Sequence, residues 1–538
     1  MSGSLSGVFG NSVQVGTLIA SFDIGSSAVK AVLVNRHGEL QLAHTVSYRQ
    51  GGISGEQDSD DWWLAFCEVL QRWWAQGVEA RGIAALTFSG QMQCLLPLDA
   101  AGAALRPALL HTDARAGAQA ERIAQQLGAD EIYSVTRNPF NATSVLPKLL
   151  HLHDLEGAVW ARTQRVLVGA KDFIIQRLTG RAVCDPTTAA TTGMFDIEHG
   201  VWAHRWFTAL GLKSVLPDLL NADEVVGGVT QRAAGRTGLA SGCPVFCGLG
   251  DAAATTLGAG LRHPSQCYAY LGTSGWVARL SARYNAPGAP LFVLPCGLHQ
   301  SNATARRHIV IGPISNAGAV HRWALRLVSD ADEQNETERY VQFEQAVASA
   351  PFDANLMFLP YLSAERLPVN SAAGQGAVVG ISAHTTSAQI MRAALEGVCF
   401  SLRWALDLLQ ADADLEPDLN PAADAGAVNL ATSTANRELI VVGGATRSGQ
   451  WMQILANTFD VPLRIAANAD LLPCLGAAAT TAAALKWGAS PEAFIAQRHH
   501  TVALTVHPNA QAALKIAAKS KRWRALQAAV STVTVAPP

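Results

Sequence analysis

The chain has 538 residues, 49% of them hydrophobic and 15% charged, with a formal net charge of −2. That length exceeds a single core and predicts two domains, and the near-neutral balance argues against a broad nucleic-acid or anionic-membrane surface. The nine cysteines form no Cys-x-x-Cys pair, and no apolar run reaches the ~18 residues of a membrane span, so neither a disulfide or zinc framework nor a membrane protein is expected.

Residues 1–16 are rich in Gly, Ser, Asn and Val and hold no Lys or Arg, which predicts a loose extension without the charged start of a signal peptide. Residues 18–34 read as strand, small polar turn, strand, closed by the hairpin signal Asn35-Arg-His-Gly38 and followed by a strand over 39–48. Helical apolar spacing covers 58–74, with Ser59, Asp60 or Asp61 as cap; Trp62, Trp63, Trp73 and Trp74 are expected in packing. A strand over 81–88 runs into Ser89-Gly-Gln-Met-Gln-Cys94, a small polar turn of the kind that binds ligands at strand ends of open α/β sheets. Asp113 and Arg115 follow; a helix cap with a surface charge and a pair of sugar-binding groups both fit them. Helices are expected over 144–155 and 171–178, the second stopped by Thr179-Gly180, and a Thr-rich loop over 185–196.

The organising stretch is 243–280. An apolar strand over 245–249 delivers Asp251 to the first turn of a helix, where Asp is also a natural cap. Cys267-Tyr-Ala-Tyr-Leu-Gly-Thr-Ser-Gly275 then repeats the strand–turn–strand grammar of the N-terminus. Aligned by hand, Ile24-Gly-Ser-Ser-Ala28 matches Leu271-Gly-Thr-Ser-Gly275, 247 residues later. Backbone N–H groups in such turns cradle phosphate oxygens.

In the second half a strand over 308–311 leads through Gly312-Pro-Ile-Ser-Asn-Ala-Gly318 into a helix, and a long helix covers 387–409. Residues 411–436 read as a loop or insertion. The run Leu439-Ile-Val-Val-Gly-Gly-Ala-Thr-Arg-Ser448 breaks at a glycine pair, where backbone can approach a flat base without a Cβ in the way. The Ala-rich stretch 475–485 reads as a close-packed helix. The tail is partly helical over 509–530, with Lys515, Lys519, Lys521 and Arg522 on a solvated face.

Two facing phosphate turns resemble the actin, Hsp70 and sugar-kinase superfamily. More closely, the chain resembles the FGGY carbohydrate kinases, and within them xylulokinase-like members, over residues 18–488. The motifs that carry the resemblance come in family order: Asp23-Ile-Gly-Ser-Ser-Ala-Val-Lys30, Ser89-Gly-Gln-Met92, Asp113-Ala-Arg115, Lys171-Asp172 with Arg177-Leu-Thr-Gly180, Gly248-Leu-Gly-Asp251 and Leu271-Gly-Thr-Ser274. They continue with Asn316-Ala-Gly318 before Trp323, Leu359-Pro-Tyr-Leu362 with Glu365-Arg366, Arg392-Ala-Ala-Leu-Glu-Gly397 and Gly443-Gly-Ala-Thr-Arg-Ser448.

The resemblance implies an α/β fold of two actin-like (ribonuclease H-like) ATPase domains with a cleft between them. It divides the chain into an extension (1–16), a sugar-binding domain with the catalytic Asp (17–261), a nucleotide-binding domain (262–505) and a helical tail (506–538). It implies ATP and Mg²⁺, with Asp251 as general base and Asp23 holding the ion, and transfer of the γ-phosphate to a ketose such as D-xylulose. Met92, Gln93 and Asp113 match the sugar pocket; Ser26, Ser27, Gly272 and Thr273 match the phosphate turns; Gly318, Arg322, Gly444 and Ser448 match positions near the nucleotide. The expected partners are the sugar and MgATP, not nucleic acid or membrane, in the cytoplasm; a homodimer stays open. Two departures stand out. Xylulokinases usually follow Ser-Gly-Gln-Met with His-Gly, where this chain has Gln93-Cys94, and the family's Gly before Glu-Arg is Ala364. Gluconate, ribulose and other ketoses therefore remain alternatives, as does a non-catalytic nucleotide-dependent regulator of the same fold. Domain closure is expected to hinge near 260–264 and near Leu439.

Overall fold

The structure is a computed structural model and describes residues 16–49, 55–261, 266–284, 289–297, 307–328, 336–369, 374, 376–413, 438–496 and 502–533. All but Gly16 of the expected N-terminal extension, most of the 411–436 insertion and the hinge residues Arg262 to Pro264 lie outside them. Two seven-stranded sheets organise the chain. The first is built from β1 (Leu18–Ile24), β2 (Ala28–Asn35), β3 (Leu40–Ser47), β4 (Ile83–Gly90), β5 (Val225–Gly228), β6 (Pro244–Phe246) and β7 (Leu249–Gly250). The second contains β8 (Cys267–Leu271), β9 (Gly275–Ser281), β10 (Phe292–Pro295), β11 (His308–Ile314), β12 (Leu439–Val442), β13 (Leu463–Ala466) and β14 (Val502–Val506).

The sheets share one plan. The first runs β3-β2-β1-β4-β6, with β2 antiparallel to β1 and β3, and β1, β4 and β6 parallel. The second runs β11-β9-β8-β12-β13 with the same directions in the same order. The repeated turn of the sequence is thus the visible part of a repeated domain. The central strand β1 is buried along almost its whole length because both faces are covered, whereas β3 at an edge alternates half-buried and exposed positions. Phe22, Phe66 and Phe88 knit β1, β4 and helix α1 (Ser59–Ala75) together, the Phe22 and Phe66 ring centroids lying 4.8 Å apart. Trp62, Trp63 and Trp73 are buried in that core as packing residues.

Three expectations need correction. The strand over 245–249 is broken by Gly248, whose φ of +67° places it in the left-handed region, and it resumes as β7. The Thr-rich stretch 185–196 is not a loop: Asp185 accepts from the N–H groups of Thr187 and Thr188 and starts the short helix Pro186–Ala190, with proline at its first turn. In the C-terminal helix Ala510–Val533, Lys519 is not on a solvated face; it is buried in an ion pair with Glu396, 2.5 Å away.

The halves interlock through two helices. Helix α2 (Asp251–Gly258), from the first half, hydrogen-bonds β8 of the second: the Tyr268 hydroxyl reaches Thr256 Oγ1 at 3.0 Å. Helix α3 (Leu472–Ala484), from the second half, packs on β1 and β4 of the first, and the Ser21 hydroxyl donates to Cys474 O at 2.7 Å. The two helices also pack directly on each other. Their Ala, Gly and Thr side chains permit that approach.

Candidate active site

The carboxyl ends of β1, β4, β7 and β8 converge on one cleft between the halves, where open α/β sheets bind ligands. Asp23, Gly25 and Ser26 line one wall and Tyr270, Thr273 and Ser274 the facing one, with Asp251 between them. The two hand-aligned turns therefore face each other across a shared space. Ser27, next to Ser26, is exposed at the rim.

Asp251 is held by its neighbours rather than by its own side chain. The helix cap position belongs to Gly250, and Asp251 is the first helical residue, so its carboxylate is not consumed as a cap. A Cβ on Gly250 would sit 2.2 Å from the Met92 sulfur, which explains a glycine there. The Gly250 N–H donates to Asp185 Oδ2 at 3.2 Å. Asp185 in turn pairs with Lys171 at 3.0 Å; Lys171 also pairs with Asp172 at 2.8 Å and donates to Cys247 O at 3.1 Å, all of it fully buried. Burial pushes the Asp251 carboxyl up to about 7, aided by the negative charges of Asp23 and Asp185 and opposed by the Ala252 N–H and Arg366. Asp251 is half-buried and lines the cleft.

Asp23 sits across from it on β1. Its Oδ1 accepts from the Ser89 hydroxyl at 3.0 Å, and burial raises its pKa against the pull of Lys30 and that hydrogen bond. Among the described residues no group of three or more His, Cys, Asp or Glu could cage a metal. A divalent cation here would draw on Asp23, water and phosphate oxygens, a set that suits a hard ion which keeps its waters.

The sugar-side expectations divide. Met92 and Gln93 line the cleft. Gln93 has a φ of +63°, and its Nε2 donates to Thr143 Oγ1 at 3.3 Å. The buried Lys148 amine holds this bend, donating to Leu110 O at 2.6 Å and Gln93 O at 3.4 Å. Asp113 is not among the lining residues. Its carboxylate accepts two hydrogen bonds from Arg115 Nε, at 3.0 and 2.8 Å, and Arg115 also pairs with Glu56 at 2.7 Å. His111, two residues earlier, takes the place in the cleft. Burial, with Arg366 and Lys148 nearby, lowers its pKa to about 3, so it stays a neutral donor and acceptor.

On the nucleotide side, Gly318 lies against the second turn. Its N–H donates to Gly272 O at 2.9 Å, and a Cβ would fall 2.4 Å from the same oxygen. Gly443, with a φ of +100°, passes equally close to Leu271 O, while Gly444 is exposed with open space above it. Arg322 is exposed on the helix Gly318–Ala324. Ser448 is buried and engaged: it caps the helix Gly449–Phe459 and donates to Glu344 at 2.5 Å.

Sequence reasoning passed over His111, Tyr270, Trp276 and Arg366, all of which line the cleft. Tyr270 could have been found. Extending the loop alignment by one residue sets it opposite Asp23, and its ring stacks on Trp276 with centroids 3.8 Å apart.

Comparison with known proteins agrees with this geometry. Residues 18–258 match the FGGY family of carbohydrate kinases, N-terminal domain, and residues 267–485 match its C-terminal domain. A xylulose kinase of Staphylococcus xylosus is 28% identical over 477 residues, 87% of this chain and 91% of the relative. One from Streptomyces rubiginosus is 30% identical over 501 residues, 91% and 92% of the two chains. The fold matches the crystal structure of a xylulose kinase from Lactobacillus acidophilus with a TM-score of 0.77 at 24% identity, covering 96% of this chain and 98% of that one. This chain belongs to the FGGY family of carbohydrate kinases, phosphotransferases that take ATP as donor and an alcohol group as acceptor.

Proposed function

We propose that the protein phosphorylates D-xylulose, with Asp251 as general base. The observation that carries this reading is the place of Asp251: a carboxylate with a pKa raised to about 7, lining the cleft between two phosphate-type turns. A base with that pKa is half-ionised at neutral pH, where it both accepts and releases a proton readily. The acceptor hydroxyl loses its proton to the Asp251 carboxylate as its oxygen bonds to the γ-phosphorus and the bond to ADP breaks. The remaining task is positioning and charge neutralisation. The turns at Ser26 and Ser27 and at Gly272 and Thr273 offer N–H groups to the phosphates; the Gly272 N–H itself is donated to Ser274 O and shapes its turn. A Mg²⁺ ion near Asp23 would neutralise the transferring group. Gly318, Arg322 and Gly444 border the space for the nucleotide, and Ser448 supports that border through the helix it caps. His111 and Gln93 supply neutral donors and acceptors for sugar hydroxyls; Asp113 acts one step back, by fixing Arg115 and the loop that carries His111.

The relatives named xylulose kinase support the ketose. The test is ADP release from purified protein with MgATP and a panel of ketoses, polyols and aldonic acids. Strong acceleration by D-xylulose is expected. Acceleration by gluconate or another sugar alone would replace the substrate but keep the chemistry, and none across the panel would sink the kinase reading for a nucleotide-dependent regulator.

A further inference from the structure

Arg366 stands out because it comes from the wrong half. It lies on the 362–366 loop of the nucleotide domain, yet lines the cleft beside Asp251 and His111 of the sugar domain. It also walls the neighbouring cavity formed with Ala114, Phe140 and Thr143. Its Nε–H is buried without a hydrogen-bond partner, although the negative charges of Glu365 and Asp251 act on the guanidinium. A buried, unpaired guanidinium N–H calls for an oxygen acceptor.

The backbone behind Arg366 is tied to the phosphate turn. Glu365 is buried and accepts from the N–H groups of Ser315, Asn316 and Arg366 and from Asn316 Nδ2 at 3.0 Å. Asn316 Oδ1 accepts from the Ser363 N–H at 3.1 Å and its hydroxyl at 3.0 Å. One residue on, Ala317 and Gly318 donate to Thr273 O and Gly272 O at 3.3 and 2.9 Å. Hydrogen bonds joined by short stretches of backbone therefore link the turn at Gly272 and Thr273 through residues 316–318 and Glu365 to Arg366.

We propose that Arg366 is a sugar-binding residue contributed by the nucleotide domain, donating to oxygens of the acceptor, and that Glu365 couples it to the γ-phosphate turn so that nucleotide and sugar bind synergistically. The ligand class is a polyhydroxy acceptor with an oxygen adjacent to the attacked hydroxyl. This rests on the reading of the cleft as the sugar site with Asp251 as base. Arginine suits the role: it stays charged, and its fixed fork spans two neighbouring oxygens.

The test uses full-length wild type, Arg366→Ala, Arg366→Lys and Glu365→Gln. Calorimetry gives D-xylulose affinity with and without a non-hydrolysable ATP analogue and Mg²⁺, and ADP release gives the KM of each substrate. In the wild type the analogue is expected to tighten xylulose binding by about fivefold or more. In Arg366→Ala the xylulose KM should rise about tenfold while the ATP KM moves less than about twofold, and the enhancement should vanish. Arg366→Lys should fall between. Glu365→Gln should lose the enhancement and keep most of the xylulose affinity measured without analogue, which a general loss of structure would not do. Unchanged xylulose KM and enhancement in Arg366→Ala overturn the proposal, as does a parallel rise of both KM values. A wild type that no acceptor accelerates overturns the functional reading and this proposal with it; an active wild type beside an unaltered Arg366→Ala overturns this proposal alone.

Discussion

A Cβ on Gly476 would stand 1.9 Å from the carbonyl oxygen of Ala254. The reciprocal contact is nearly as close, 2.1 Å from Gly258 to Leu472 O, so α2 and α3 touch backbone to backbone at the centre of the molecule. Gly476→Ala should therefore destabilise. Helix propensity favours alanine by about 1 kcal/mol, but overpacking here forces the helices apart at a cost of about 3 kcal/mol. Gly235→Ala is the control: in the helix Gln231–Thr237, with nothing within 4 Å of its Cβ, it should stabilise by about 0.5–1 kcal/mol. Urea unfolding of both variants decides it; equal effects of the same sign would refute the contact.

Lys171 should be among the least replaceable residues outside the cleft. Lys171→Met leaves Asp172 and Asp185 buried with no cation, and breaking such a set typically costs about 3–5 kcal/mol. Asp172→Asn should be mild by comparison. Burial raises the Asp172 pKa to about 6 despite Lys171, so this carboxylate is already reluctant to ionise. A larger loss in Asp172→Asn than in Lys171→Met would invert the assignment of which charge anchors the triad.

The repeated turn was legible in the sequence because such a turn is local: a short apolar strand, a glycine and two small hydroxyl residues suffice. Asp251 was legible for the same reason, since a strand mouth fixes where it points. Arg366 was visible as a motif but not as a cleft residue, because more than a hundred positions separate it from Asp251 and only the meeting of the two halves brings them together. The engagement of Asp113 by Arg115, two positions on, was not legible, because no local pattern tells a captured carboxylate from a free one. Lys519 misled, its partner Glu396 lying on a distant helix. Asp185 shows how a cap overrides propensity: a Thr-rich segment became helical once a carboxylate and a proline opened it.

Asp23 should act on Asp251 as well as on the cation. After burial, its charge is the largest cause raising the Asp251 pKa. Asp23→Asn should therefore move the acidic limb of the kcat/KM profile to lower pH, and it should also raise the Mg²⁺ concentration needed for half-maximal rate. A limb that stays in place in Asp23→Asn would show that the two carboxylates do not sense each other.

Gln93→Ala should raise the sugar KM and leave the ATP KM unchanged. Gln93 lines the cleft from the first half of the chain and donates to Thr143, whereas the turn at Gly272 belongs to the second half. Loss of one neutral hydrogen bond predicts a shift of about 3- to 10-fold. Steady-state kinetics with each substrate varied in turn separates this from a general loss of activity.

Asp251 gives a prediction in two parts with opposite signs. As the base it must be ionised, so kcat/KM should rise with pH through about 7 and level off above it. Asp251→Asn should lower kcat by about 10²–10⁴-fold. Stability runs the other way. A carboxyl whose folded pKa lies above its unfolded value of about 3.9 binds more protons when folded, so its contribution to stability is lost as pH rises from about 4 to about 7. Asp251→Asn removes that loss. The inactive variant should therefore melt a few degrees above wild type at about pH 8 and together with it near pH 4, where both side chains are neutral. Differential scanning calorimetry at the two pH values tests it. A variant that melts below wild type at pH 8 would mean that the ionised carboxylate is a stabilising group, and that the strain assigned to it as a poised base is absent.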